Sequence, residues 1–249
     1  MAAIAGACAT GVHAGDRDAL LHIVQQQCLP HWQEQHEPAP CAAVAPDFAV
    51  LRDRKGGAHF LLIATRTLSG LEDPLLLQSD APNYFAAAWQ ARGRLAEVAG
   101  HPLSDDEVGL AVNSALARGQ DQFHIHIECL RPDLHRLLRA EAEQLGDHWQ
   151  RLPLWGHPFL ARRVSGPSLE RVNPVVLLAA AGTTIRSDLR AYTLVVAGAR
   201  FADGAGFVLL AGPTAAGAAA LLPASDGRVP PGETLLDARC EEEPEGPSR

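Results

Sequence analysis

Lysine is nearly missing from this sequence: of 21 lysine and arginine residues, Lys55 alone is a lysine. Acidic residues number 29, and the formal net charge is −8. This balance excludes a protein that holds nucleic acid by neutralising phosphates over a broad surface, so any phosphate recognition has to be local. Arginine suits such local work, because its planar guanidinium makes bidentate contacts. Long apolar runs are lacking too, and nothing approaches the roughly 20 residues needed to span a bilayer. The opening MAAIAGACATGVHAGD has neither the basic region nor the solid apolar core of a complete signal peptide. Residues 1–17 read as a disordered start or a residual leader. Aromatic residues make up only 5 % of the chain, yet 47 % hydrophobic content in 249 residues is enough for one large domain or two intimately packed halves.

Five cysteines do not decide the compartment. Cys28 and Cys41 flank the proline-rich LPHWQEQHEPAP and can close it with a disulfide; Cys129 and Cys240 are a second candidate pair, with Cys8 left over. Separately buried, reduced thiols are the alternative.

Asp16 or Asp18 can cap a helix that runs to Cys28 and is ended by Pro30. FAVLRD and AHFLLIA read as two strands joined by a turn at Lys55, Gly56 and Gly57. A second helix begins near Pro82, capped by Ser79 or Asp80, and stops at Gly100. EVGLAVN and QFHIHIECL are further strands, and a helix follows Pro132. Without a regular alternation of strand and helix, an antiparallel α+β fold is expected. After residue 149 the pattern partly restarts: HPFLARRV as a strand, SLERVNPVVLLAA as a helix, and AYTLVVAGARFADGAGFVLLAG as a hairpin turning at Ala202, Asp203 and Gly204. Residues 18–148 are therefore expected to form a catalytic half, and 149–240 a second α+β half that packs on it and shapes the substrate site. Residues 241–249 are expected to be an acidic, disordered tail.

The chemistry concentrates in GQDQFHIHIECLRPD, Gly119 to Asp133. As a strand it puts Phe123, Ile125, Ile127 and Cys129 on one face and Gln122, His124, His126 and Glu128 on the other. Four polar groups in a row need water, partners or a ligand. One reading is a pair of satisfied histidines on a half-solvated face. A second makes His124, His126 and Glu128 metal ligands, although residues two apart on a strand sit roughly 7 Å apart at Cα. The third is nucleophilic catalysis on phosphorus, with one imidazole attacking and nearby donors holding the oxygens.

QFHIHI resembles the histidine-triad signature, whose middle histidine is the nucleophile; AHFLLIATRTLSG resembles that family's strand and following segment, and AVN its asparagine-bearing strand. More closely, LHIVQQQCLP, LLIATRTLSGLEDP, PNYFAAAWQAR, HIHIECLRPD and GHPFLARRV together resemble the bacterial CDP-diacylglycerol pyrophosphatase family over residues 18–240. The resemblance implies a histidine-triad-like antiparallel sheet with packed helices. It also implies hydrolysis of CDP-diacylglycerol to CMP and phosphatidate in phospholipid metabolism, through a nucleotidyl-histidine and with neither metal nor cofactor. His124 is then the nucleophile, His126 a donor to phosphate, and Asn113 a neighbour of ribose or phosphate. Gln122 stands where histidine is usual, and Ala64 and Thr67 replace the usual proline and histidine after AHFLLI. Gln120, Gln122, Arg118 and Arg131 complete the candidate substrate contacts. The expected partners are a liponucleotide and a membrane surface, with a periplasmic or periplasm-facing location and no nucleic acid. A hydrolase or transferase of soluble nucleoside diphosphate derivatives, or a non-catalytic nucleotide- or lipid-binding relative, is the alternative.

Overall fold

The computed structural model describes residues 16–214 and 229–241, so most of the expected leader and most of the acidic tail lie outside the described residues. Ten strands form one sheet: β1 (Ala43–Val44), β2 (Phe48–Arg52), β3 (Phe60–Ala64), β4 (Val108–Val112), β5 (His124–Leu130), β6 (Gln150–Leu154), β7 (His157–Ser165), β8 (Tyr192–Phe201), β9 (Gly204–Pro213) and β10 (Leu236–Asp237). Their order is β1-β2-β3-β5-β4-β8-β9-β7-β6, and every named pair is antiparallel. This is the α+β class expected. The segment after residue 149 has no sheet of its own, because β8 pairs with β4 from Gly109↔Ala197 to Val112↔Leu194. Strand β10 pairs with β5 at Leu236↔Leu130 and Asp237↔Cys129; since Val108 already occupies the other side of Cys129, β10 lies beyond the end of β3.

The period-two pattern divides the sheet cleanly. Phe123, Ile125 and Ile127 join Phe60, Leu62, Leu110, Val196, Phe207 and Leu209 in a core covered by the helices Tyr84–Ala91, Gly93–Ala99 and Pro174–Ala179. Each fully buried aliphatic contributes about 1.5–3 kcal/mol of transfer free energy, and Ile125→Ala should cost about 2–5 kcal/mol once the cavity is included. The opposite face carries two separate covers. Leu20, Val24 and Cys28 of the first helical segment pack on Ala49, Leu61 and Ile63, while Leu134 and Leu138 of the helix Pro132–Glu141 pack with Ala111, Val195 and Ala197. Between these covers the sheet presents the polar side of β5.

Several boundaries depart from the sequence reading. Helix does not stop at Pro30: Ala19–Ile23 passes into a π-helical turn, Val24–Cys28, and continues as Leu29–Gln35. Pro30 falls in the first turn after the π segment, where its missing N–H costs least, and His36 with φ of 57° ends the run. The second helix is capped by Asn83, not Ser79 or Asp80; its Oδ1 accepts from Ala86 N at 3.2 Å and its Nδ2 donates to Leu169 O at 2.7 Å and Val172 O at 3.0 Å. The later helix is only Pro174–Ala179, because Asn173 caps it. Strand β6, absent from the sequence reading, pairs with β7 through a turn in which Trp155 and Gly156 have positive φ. The hairpin around Gly56 and Gly57, both with positive φ, forms as expected.

Both cysteine pairs are disulfides, Cys28–Cys41 and Cys129–Cys240, with Cα separations of 5.6 and 5.3 Å. The second fastens the returning C-terminal segment to β5. Cys8 lies outside the described residues.

Candidate active site

His124 and His126 project from β5 into the gap between the two covers, next to Ile63 and Leu61 of β3, their register partners. Both are buried, at 8 % and 5 % exposure, so the polar face is not half-solvated. The Nδ1 of His124 lies 2.7 Å from the carbonyl oxygen of Gln122. A carbonyl can only accept, so Nδ1 carries the hydrogen and Nε2 keeps its lone pair. Burial lowers the His124 pKa and keeps the ring neutral, with Arg118 adding to the shift.

His126 belongs to a second group. Its Nδ1 is 3.1 Å from Nε2 of His59, which in turn is 3.2 Å from Oε1 of Glu128. His59 precedes β3 and faces Glu128 across the sheet. Sequence reasoning missed it, and the available signal was the antiparallel register of AHFLLIA against HIHIE. Burial lowers both His59 and His126, the latter well below its ordinary value, and burial followed by the charge of Glu233 raises Glu128 to about 8. With both groups shifted toward their neutral forms, the contact between His59 and Glu128 is not an ion pair. The Nε2 of His126 is buried without a hydrogen-bond partner and faces Oε2 of Glu233 at 3.6 Å. One atom each from His59, His126 and Glu128 lie within 4.8 Å of one another, a donor set of two imidazoles and a carboxylate that could hold an ion. The metal reading above used His124, which is not in this cluster; His59 stands in its place.

His124 and His126 open into a cleft of about 680 Å³, also lined by Asn113, Gln120, Asp53, Arg54, Lys55 and Glu233 and walled by Ala19, Leu20, Ile23, Leu51, Leu61 and Ala117. Asn113 Oδ1 accepts from Glu233 N at 3.1 Å, so it anchors the turn Gly232–Leu235 that brings Glu233 in. Gln120 ties the first helix to the wall: its Oε1 accepts from Leu20 N at 3.1 Å and its Nε2 donates to Asp16 O at 2.8 Å. Gln122 lies apart from the cleft. Its Nε2 donates to Ala64 O at 2.7 Å and Arg66 O at 2.8 Å, and its Oε1 accepts from Leu68 N at 3.3 Å, which shapes the segment after β3. Arg118 is paired with Glu72 at 2.7 Å and Asp121 at 3.2 Å outside the cleft lining. Arg131, at the far end of β5, pairs with Asp133 at 2.5 Å and donates to Thr234 O at 3.3 Å. Lys55, Arg54 and Glu233 are lining residues that sequence reasoning did not single out.

A neutral imidazole with a free Nε2 at the floor of a cleft, with Arg54 and Lys55 in the lining, can attack phosphorus esters or anhydrides. The comparisons narrow this class. The family model for CDP-diacylglycerol pyrophosphatase matches residues 15–243. A CDP-diacylglycerol pyrophosphatase of Yersinia pestis is 42 % identical over 198 residues, which cover 78 % of this chain and 76 % of that protein. The chain belongs to the CDP-diacylglycerol pyrophosphatase family, and the protein is a hydrolase acting on a phosphoanhydride bond.

Proposed function

We propose that the protein hydrolyses CDP-diacylglycerol to CMP and phosphatidate by two displacements at His124, in a histidine-triad-like manner. In the first, Nε2 attacks the phosphorus of the CMP moiety, the N–P bond forms, and the anhydride P–O bond breaks with its electron pair leaving on phosphatidate. In the second, water attacks the same phosphorus, the N–P bond breaks, and CMP departs as the water proton passes to His124 or solvent. The observation that carries the reading is the 2.7 Å contact of His124 Nδ1 with Gln122 O, which fixes the tautomer that attacks from Nε2.

We assign the hydrogen between His59 and His126 to His59 Nε2. That makes His126 an Nε2–H donor to the oxygens of the attacked phosphorus. The apolar wall of Ala19, Leu20, Ile23, Leu51 and Leu61 suits the glycerolipid side of the substrate. Work at a membrane surface facing an oxidising compartment, as part of phospholipid metabolism, fits this wall and the two disulfides. Among the described residues no helix is long and apolar enough to cross a membrane.

The test uses substrate labelled in one phosphate at a time and an alkaline quench early in turnover, since a phosphoramidate survives base. Label from the CMP phosphate should appear on the peptide containing QFHIHIECLR, and label from the phosphatidate phosphate should not. Turnover with no protein-bound label from either position would overturn the double displacement.

A further inference from the structure

The reaction places two phosphates in one cleft, yet most of its lining offers no fixed positive charge. His124 is neutral, Asn113 and Gln120 are amides, and Asp53 and Glu233 are acids. The arginines nearest in sequence to the catalytic strand are committed elsewhere: Arg118 to Glu72 and Asp121, Arg131 to Asp133 and Thr234. Among the lining residues, permanent cations come only from Arg54 and Lys55, neighbours in the β2–β3 turn. Lys55 makes no ion pair with a described residue, while its backbone N–H donates to Asp53 Oδ1 at 2.7 Å and fixes the turn. Its charge nevertheless reaches the floor, where it acts on His59, His124, His126 and Glu128 alike.

The turn is also held from behind. Ala58 N donates to Ala238 O at 2.7 Å, and a Cβ on Gly57 would stand 2.5 Å from that oxygen. Ala238 lies between β10 and Cys240, so the Cys129–Cys240 disulfide and the β5–β10 pairing brace the base of the turn. The brace fixes the backbone from which the exposed Lys55 side chain reaches over the cleft lining.

We propose that Lys55, seconded by Arg54, is the clamp for the second phosphate of the substrate, the one that leaves as phosphatidate. This rests on the reading in the preceding section. As the anhydride bond breaks, its electron pair goes to the oxygen on the phosphatidate phosphorus, and the Lys55 ammonium receives that growing charge. Lysine serves here as a point charge that follows the departing group. The chain's lone lysine is thus a substrate contact that separates a diphosphate diester from a single phosphodiester.

The experiment compares wild type, Lys55→Met and Lys55→Arg with CDP-diacylglycerol in detergent micelles, and measures competitive inhibition by CMP and by dihexanoyl phosphatidate. Lys55 is exposed, so both variants should fold. Lys55→Met should lower kcat/KM by about a hundredfold. It should also weaken phosphatidate inhibition by more than about tenfold and leave CMP inhibition within about threefold of wild type. Lys55→Arg should recover most of both losses. Inhibition by CMP and phosphatidate weakened equally, or kcat/KM of Lys55→Met within about threefold of wild type, would overturn the clamp. Wild-type protein that releases no CMP would instead sink the reading on which the clamp rests.

Discussion

The imidazoles of His59 and His126 face each other across the sheet, Nε2 of the first 3.1 Å from Nδ1 of the second, with ring centroids 5.3 Å apart and planes inclined by 22°. His59 does not line the cleft, and on the proposed mechanism it acts through His126 as a positioning residue. His59→Phe keeps the stacking and removes the hydrogen bond. It should lower kcat by up to about a hundredfold with little change in KM, because His126 then loses the partner that sets its tautomer. His59→Gln, whose side-chain amide can still donate, should be milder. A purely structural role would instead lower stability and leave the kcat-to-KM split unchanged.

Removal of the nitrogen proposed to attack should be harsher. His124→Ala should reduce turnover by on the order of a thousandfold or more, since no other group on that face is oriented to form the phosphoramidate. A near-normal rate in this variant would end the case for His124 as nucleophile.

The proposed attack requires the neutral ring, and burial lowers the pKa of His124. The proton therefore binds only at more acid pH than for a solvated histidine, and the active form persists as pH falls. The acid limb of the kcat/KM profile should lie below the ordinary histidine value of about 6.5.

Glu128 should leave a signature in stability. Its folded pKa is raised to about 8, so the folded state holds a proton that the unfolded state releases near the ordinary glutamate value. Its contribution is fully present below about pH 4.3 and is lost as pH rises through 8. Glu128→Gln mimics the protonated acid and lacks that slope. Denaturant unfolding at pH 5 and pH 8 should show the variant gaining on wild type at the higher pH, and parallel changes in the two proteins would count against a protonated Glu128.

The Cys129–Cys240 bond closes a separation of 111 residues, and loop-closure entropy for a chain of that length is worth about 4.7 kcal/mol. Cys240→Ser should lower the unfolding temperature and, by loosening the segment that carries Glu233 and braces Lys55, lower activity below the unfolding transition as well. In unreduced protein Cys28, Cys41, Cys129 and Cys240 should resist alkylation, which mass mapping would show.

What could be read from the sequence was the part governed by local period. Alternation along QFHIHIECL put His124 and His126 on one face and Phe123, Ile125 and Ile127 on the other, as the structure has them. The cysteine spacing around LPHWQEQHEPAP pointed to the first disulfide, and glycine pairs marked the hairpins. What escaped depends on contacts distant in the chain. His59 enters through the pairing of β3 with β5, and Glu233 through a return of more than a hundred residues to Asn113. Arg118 and Arg131 stand close to the histidines in number, yet acidic neighbours claim both. Pro30 misled because a π-helical turn accommodates what a regular helix would not.

The closing of the C-terminal segment on β5 sets an order in time. Strand β5, with both histidines, is synthesised about a hundred residues before Glu233, β10 and Cys240. Until those residues emerge, Leu130 lacks its β10 neighbour, the Lys55 turn lacks its brace at Ala238, and one side of the cleft is missing. A nascent chain therefore carries both histidines long before the cleft that they line is complete, and the site is assembled only when the last segment docks.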